Sequence, residues 1–348
     1  MRSLNPVFFL VLEVAFAIIV MAVRPAWSQD RVFPLTGIMV NGKIVERTKD
    51  KVVIEVRGTN QSFDTHQIGR VVFDGEPPPL SRAKDLVVTG QLDQAIEEFR
   101  KIDPKTIKND EITQDYNFYR GYLAALNALR GKGDAAAASK LLIEWAPKNS
   151  TSHLFYSACE KLGELAMAAG TPEQAPRYFE KLVASPFIEL KVKGNYLSGK
   201  ALLEHKQAAE ARVKFAAVAQ AQVSDVASIK FKKLASLAAI RCDAAEGKVP
   251  QAIEALEKMV DDGDSTDAEL YSELFNALGG ILQGAGNNDE AILAYLKTDL
   301  LYASEPDAHS EALYHLAQLW LLIGENQRAT ETKSRLAKLY PTSPWLKK

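Results

Sequence analysis

The chain has 348 residues, of which 47% are hydrophobic and 25% are charged, and its net charge at pH 7 is −2. This composition is typical of a globular protein that buries a sizeable core. The near balance of 42 basic and 44 acidic residues provides no broad positive field, so we expect no nucleic-acid partner.

The first 28 residues have the pattern of a secretory signal peptide. Arg2 precedes an apolar stretch from Val7 to Val23, and Ala26-Trp27-Ser28 suits cleavage before Gln29. Glu13 interrupts this stretch, which is also short for a membrane-spanning helix. We therefore predict a signal peptide over 1–28 and an exported, periplasmic or otherwise extracytoplasmic protein. The alternative is an uncleaved membrane anchor, and only in that case do we expect contact with a membrane.

Residues 29–76 are rich in β-branched residues and turn signals, which predicts a small all-β, barrel-like domain. Asn41-Gly42 is a candidate type I′ hairpin turn, because both residues tolerate a positive φ. Lys51 to Arg57 alternates like a strand, and Ile68 to Phe73 supplies another short strand. Three consecutive prolines follow, and we interpret residues 77–80 as a semi-rigid, extended linker.

From residue 81 to residue 345 the sequence is typical of helices and repeats itself. The recurring feature is a Gly followed five residues later by an Ala, with successive Ala residues 36 to 43 positions apart. A tight turn between antiparallel helices favours Gly, and a close helix crossing favours Ala. The feature occurs at Gly90…Ala95, Gly133…Ala138, Gly170…Ala175, Gly247…Ala252, Gly286…Ala291 and Gly324…Ala329, and with Lys at Lys206…Ala211.

Further positions recur with these turns. The first helix of the sixth repeat carries Phe275, Leu278, Gly279 and Leu282, and second helices carry an aromatic residue at Phe99, Phe179, Phe215 and Tyr295. Residues 81–345 therefore resemble the tetratricopeptide-repeat family, in particular its exported bacterial envelope members. The resemblance implies a mostly α fold, a right-handed superhelix of about seven helical hairpins. The β-domain before them resembles the small SH3-like or Sm-like barrels that precede such repeats, and it is a candidate second docking or self-association site.

In this family the first helices of the hairpins, the A helices, line a concave groove that binds protein or peptide partners. The matching positions here mix both charges with amide and tyrosine groups, which suits an extended peptide. The resemblance thereby nominates Arg120, Asn127, Glu160, Glu164, Lys193, Tyr196, Lys200, Arg241, Glu273, Asn276, Tyr314 and Gln318 as partner-binding candidates. We expect Tyr196 and Tyr314 to be anchors, because core packing explains large aromatics on a solvent-facing groove poorly.

No arrangement of residues predicts catalysis, a metal site or a cofactor. The segment from Gly194 to Ala201 matches GxxxxGK of the phosphate-binding loop, but Ala201 stands where Ser or Thr would bind magnesium. The histidines lack metal-ligand spacing, and we predict that Cys159 and Cys242 are buried in helices. We therefore expect a non-catalytic scaffold or adaptor. The alternatives are an anchored structural component of an envelope or secretion assembly, and an enzyme that captures substrate with its repeats.

Overall fold

A computed structural model describes residues 29–341 and 343–347, so the signal peptide predicted for 1–28 lies outside the described residues. The described residues form a five-stranded sheet followed by fourteen α-helices, which confirms the predicted fold class. The strands are β1 (Asp30–Pro34), β2 (Val40–Arg47), β3 (Lys51–Val56), β4 (Thr59–Asp64) and β5 (Ile68–Val72). The helices are α1 (Pro78–Val88), α2 (Leu92–Arg100), α3 (Asp110–Leu129), α4 (Ala135–Trp145), α5 (Phe155–Ala168), α6 (Pro176–Val183), α7 (Ile188–Glu204), α8 (Ala208–Gln220), α9 (Val226–Ala245), α10 (Val249–Asp262), α11 (Ala268–Gly284), α12 (Asn288–Leu301), α13 (Pro306–Leu322) and α14 (Asn326–Leu339).

The strands form one antiparallel sheet in the order β4-β3-β2-β1-β5. The register shifts within β1 and within β2, and irregularities of this kind bend a sheet. Val32, Ile54 and Val71 bury their side chains in a core that also contains Leu80 of α1 and Phe118 of α3. The sheet therefore shares its core with the first helices.

The turn predicted at Asn41-Gly42 is wrong, because both residues lie inside β2 and pair with β1. A Cβ atom at Gly42 would lie 2.2 Å from the backbone oxygen of Glu55, so glycine permits a close approach of β3. The two-residue turn between β3 and β4 is instead Arg57-Gly58, where φ is 52° and 83°. Two positive φ angles in succession are the geometry of a type I′ hairpin.

The prolines interpreted as an extended linker begin a helix instead. Pro77 is the N-cap of α1, and Pro78 and Pro79 form its first turn. Proline is tolerated there because the first N–H groups of a helix have no intrahelical acceptor. Helix α1 therefore follows the sheet without a spacer. The division into a β-domain over 29–76 and a repeat domain over 81–345 stays a prediction.

A buried charge network fixes the sheet to the first helices. Lys84 of α1 is 0% exposed, and its Nζ donates to Glu76 Oε2 and to Asp115 Oδ2, each at 2.7 Å. The same Nζ donates to the carbonyl oxygen of Val71 at 2.9 Å, and Arg47 Nη1 of β2 donates to Asp115 Oδ1 at 3.2 Å. Buried charges are tolerated only when paired and hydrogen-bonded, as these are. The network therefore holds β2, α1 and α3 in one fixed arrangement.

The helices pair in chain order as seven hairpins, with odd-numbered A helices and even-numbered B helices. The predicted turn residues adopt a positive φ at Gly90, Gly170, Gly247, Gly286 and Gly324, and at Lys206, where φ is 63°. In the second hairpin the positive φ belongs to Gly131, the second residue after α3, rather than to Gly133, because more residues follow it before the B helix begins than in the hairpins with three-residue turns. The repeat period predicted from the sequence thus corresponds to the structural repeat.

A small residue of each of three A helices lies against an aromatic ring of the following B helix. A Cβ atom would lie 2.3 Å from Phe179 at Gly163, 2.6 Å from Phe215 at Gly199 and 2.8 Å from Tyr295 at Gly279. Gly199 also belongs to the segment that matched the phosphate-binding loop, and the whole of that segment lies within α7. Helix packing therefore accounts for this glycine.

Cys159 and Cys242 are both buried and carry free thiols. Burial raises the pKa of the Cys159 thiol to about 12 and that of the Cys242 thiol to about 11. Over the residues that the structure describes, none of the helices combines the length and apolar character needed to cross a membrane.

Candidate functional site

A continuous groove runs along the A helices of the last four hairpins. Its lining comes mainly from α7, α9, α11 and α13, while B helices contribute Phe215, Val249 and Tyr295. Two neighbouring hollows of about 300 and 790 Å³ make up the groove. The hollows share Leu203, Arg241, Glu311 and Trp345 and so form one surface.

Most of the predicted partner-binding residues lie together in this groove. The first hollow contains Tyr196, Lys200, Arg241 and Glu273, and the second adds Asn276, Tyr314 and Gln318. The position of Arg241 shows that α9, in the fifth hairpin, keeps the register of its neighbours. The A-helix positions carried over from the repeat pattern therefore converge on a common surface in hairpins four to seven.

Tyr196 combines core packing with a place in the groove. Its half-buried ring lies between Phe215 and Phe231, with ring centroids 6.1 and 5.1 Å away. Burial raises the pKa of the Tyr196 hydroxyl. Lys200 Nζ lies 5.9 Å from the ring centroid, within the range of a cation–π interaction. Core packing thus explains much of the burial of Tyr196, and its role as an anchor stays a prediction.

Charges of both signs in the groove lack partners of their own. Lys200, Glu204, Arg241 and Glu273 line the first hollow, and none of the four forms an ion pair with any residue that the structure describes. A charged side chain without an ion-pair partner can pair with a ligand and does not first have to break a salt bridge. The groove therefore offers two cations and two carboxylates to a bound molecule.

Asn276 of α11 brings an unused hydrogen-bond acceptor to the second hollow. The residue is 3% exposed, and its Nδ2 donates to the carbonyl oxygen of Ala308 at 2.8 Å. This bond orients the amide and leaves Oδ1 buried, without a donor from the described residues. A buried acceptor that lacks a donor costs about 1–3 kcal/mol. An N–H group of a ligand would therefore bind favourably at this point.

Three predicted residues belong to a separate ion-pair cluster on α5 and α7. Lys193 Nζ lies 2.6 Å from Glu160 Oε2, and Lys161 Nζ lies 2.7 Å from Glu164 Oε2 and 3.2 Å from Glu160 Oε1. Burial alone would raise the pKa of Glu160, but Lys193 and Lys161 lower it overall, whereas burial raises the pKa of Glu164. Because two acids face two bases, the cluster presents little net charge to a partner.

The remaining two predicted residues lie outside the groove. Arg120 is exposed on α3. Asn127 donates from Nδ2 to the carbonyl oxygen of Lys132 at 2.9 Å, a bond that closes the turn of the second hairpin. It also borders a separate hollow of about 650 Å³ lined largely by α2.

Sequence reasoning missed three of the four residues that both hollows share, Leu203, Glu311 and Trp345. Glu311 precedes Tyr314 by three positions on α13 and so lies on the same helix face, which means that the A-helix register already contained this signal. Trp345 follows the last repeat, in the single 3-10 turn Pro344–Lys347, where the repeat register makes no prediction.

A buried His–Asp pair lies beside the groove. His309 Nε2 is 2.7 Å from Asp299 Oδ1, His309 Nδ1 is 2.6 Å from the Tyr340 hydroxyl, and Arg335 donates to both oxygens of Asp299. Both ring nitrogens are occupied by these partners, so the pair fastens α12, α13 and α14 together. Within the described ranges, no three or more His, Cys, Asp or Glu side chains are arranged to hold a metal ion.

Comparison with known proteins gives the class of fold. No protein-family model matches the chain, and no curated protein matches it. A tetratricopeptide-repeat protein from Parabacteroides merdae is similar over 75% of this chain and 91% of its own, with a TM-score of 0.55 and 14% sequence identity. The chain therefore has the fold of a tetratricopeptide-repeat protein, as the sequence pattern predicted.

Two other solved structures are similar at lower TM-scores. One is the Pseudomonas aeruginosa protein pilF, which is similar over 67% of this chain and 96% of its own, with a TM-score of 0.40 and 17% identity. The other is the tetratricopeptide-repeat domain of P58(IPK), which is similar over 77% of this chain and 75% of its own, with a TM-score of 0.27 and 16% identity.

Proposed function

We propose that the protein is an exported, non-catalytic scaffold or adaptor that binds protein or peptide partners in the groove of hairpins four to seven. The observation that carries the proposal is the combination of side chains in that groove. Aromatic rings, unpaired charges and the unused acceptor of Asn276 lie together on consecutive A helices. Such a surface suits a peptide, which supplies backbone N–H groups, side-chain charges and apolar contacts at regular intervals.

The dimensions of the groove fit a short extended segment. Packed helices lie about 8–10 Å apart, so the four A helices from α7 to α13 span about 30 Å. A fully extended chain rises about 3.3 Å per residue, which corresponds to about nine residues. A peptide of this length would pass Tyr196 and Lys200 at one end and Tyr314 and Gln318 at the other.

The export part of the proposal is supported by the signal-peptide pattern of residues 1–28. Cleavage before Gln29 would release the repeat array into an extracytoplasmic compartment. Retention of the segment would instead make the protein a membrane-anchored component of an envelope or secretion assembly. The mature N-terminus therefore distinguishes the two versions of the proposal.

Site-specific photo-crosslinking in cells tests the groove directly. A photoreactive residue at Lys200 or Gln318 is expected to form an adduct with a partner protein. The matched control is Val213 on α8, which is 68% exposed and lies on a B helix, away from the groove. Adducts from Val213 but not from Lys200 would refute the groove as the binding surface.

Mass spectrometry of the same samples reads out the mature N-terminus. A chain that begins at Gln29 supports the exported adaptor. An intact Met1, with adducts restricted to subunits of a membrane complex, supports the anchored structural component instead.

A further inference from the structure

The segment Ser343–Lys347 folds back against α13 after the last helix has ended. Ser343 is buried, its N–H donates to the carbonyl oxygen of Tyr340 at 3.0 Å, and its Oγ donates to Ser310 Oγ at 3.2 Å. The N–H of Trp345 in turn donates to Ser343 Oγ at 3.3 Å. These bonds attach the start of the segment to α13 and direct the residues that follow toward the groove.

Trp345 is the residue that the segment places in the groove. Its ring lies 5.1 Å from that of Tyr314 and 5.4 Å from that of His315, measured between centroids. It also borders the first hollow together with Leu203 of α7 and Arg241 of α9. The indole therefore stands between the two ends of the proposed peptide path and contacts one of its two expected anchors.

We infer that Ser343–Lys347 is an internal ligand of the groove and that a partner peptide binds by replacing Trp345 with an aromatic residue of its own. The inference rests on the proposed function, because it names the class of peptide that the groove takes. The hollow around Trp345 is bordered by charges of both signs, Lys200 and Arg241 as well as Glu204, Glu273 and Glu311, so the indole is the feature that a partner has to match. The expected partner segment is therefore one that presents an aromatic residue at this point.

The way in which the segment is held makes displacement feasible. The segment has five residues, and its contacts with the array include the side-chain hydrogen bond to Ser310 and the indole contacts with Tyr314 and His315. A groove that is filled by its own chain binds an external ligand only in the fraction of molecules whose segment has left, so the apparent affinity falls by that fraction. A partner therefore binds only if its affinity for the groove or its local concentration is high enough to displace the segment.

A peptide-binding assay on the full-length protein tests the inference. The probe is a fluorescein-labelled peptide with the sequence of residues 340–348, and the readout is fluorescence anisotropy. Trp345→Ala is expected to bind the probe at least about ten times more tightly than the wild type, because its own segment no longer competes. Trp345→Phe retains an aromatic ring and is expected to bind as weakly as the wild type.

Two further arms locate the binding site and its specificity. A probe in which alanine replaces the tryptophan is expected not to bind Trp345→Ala. Glu273→Lys, added to Trp345→Ala, reverses a groove charge that has no ion-pair partner among the described residues, so the fold is retained while probe binding weakens several-fold. Equal affinity of the wild type and Trp345→Ala for the probe, or binding that does not require the probe's tryptophan, would overturn the inference.

The assay also separates this inference from the proposed function. Binding of the probe to Trp345→Ala without any groove crosslink in cells would support the internal-ligand inference and refute the proposed adaptor function. Groove crosslinks in cells without probe binding to Trp345→Ala would support the proposed adaptor function and refute the internal-ligand inference.

Discussion

Replacement of Gly163 by alanine is expected to destabilise the protein by about 2 kcal/mol. The added Cβ atom would lie 2.3, 2.4 and 2.7 Å from Cε1, Cζ and Cδ1 of Phe179. Carbon atoms pack at about 3.5–4.0 Å, so the ring or the helix would have to move by more than about 1 Å. Phe179 is 1% exposed and therefore has no free space into which to move.

The magnitude follows from two opposing effects. Forcing an extra carbon into a packed core costs about 1–3 kcal/mol, and the contact with three ring atoms places this site at the upper end. Alanine is favoured over glycine inside a helix by about 1 kcal/mol, which offsets part of that cost. Urea unfolding followed by far-ultraviolet circular dichroism measures the net change as a lower midpoint.

Gly284→Ala is the matched control for this prediction. Gly284 is the last residue of α11, and a Cβ atom added there would have no neighbour within 4 Å. The same substitution is therefore expected to leave stability unchanged or to raise it by up to about 1 kcal/mol. If Gly163→Ala were as stable as Gly284→Ala, close packing of the small residue against the aromatic ring could not be what holds the third hairpin together.

Three other substitutions test the fold. Lys206→Gly is expected to stabilise the protein by about 1 kcal/mol, since φ at this position is 63° and a side chain is strained there. Lys84→Met leaves Glu76 buried without its cation and Asp115 with Arg47 alone, and it is expected to lower the free energy of unfolding in urea by about 3–5 kcal/mol. Burial lowers the pKa of His153 from 6.5 to about 3, so the unfolded chain takes up the proton first and stability is lost as pH falls from 6.5 toward 3. Between pH 7.5 and 5 the free energy of unfolding of the wild type is expected to fall by about 2 kcal/mol more than that of His153→Met. Equal pH profiles of the two proteins would contradict this.

The repeat architecture was predictable because its determinants are local. A positive φ at each turn and a small residue at each crossing are demands that single residues meet, and they recur at a fixed period. Arg241 is an example, since counting along the repeat nominated it and it lines the groove. Where the register is regular, the sequence therefore predicts which face of an A helix lines the concave groove.

Features that depend on a neighbouring segment were not predictable in this way. Asn41-Gly42 has the residues of a turn, but the pairing of β2 with β1 and β3 places it inside a strand. The charges of Glu160 and Lys193 suggested a binding surface, yet the packing of α5 beside α7 pairs them with each other. Trp345 enters the groove through a chain reversal outside the repeat, which no periodic pattern describes.

The sheet and the groove occupy different parts of the same row of A helices. Asp50 of the β2–β3 turn accepts a hydrogen bond from the Tyr156 hydroxyl of α5 at 2.8 Å, and the ring of His66 lies 4.3 Å from that of Phe187 at the start of α7. The groove begins farther along α7, at Tyr196. A terminal repeat needs its open face covered, and here the sheet contacts the A helices of the first three hairpins. The last four hairpins are thereby left to form the groove, and the buried charges around Lys84 hold the sheet against α1 and α3.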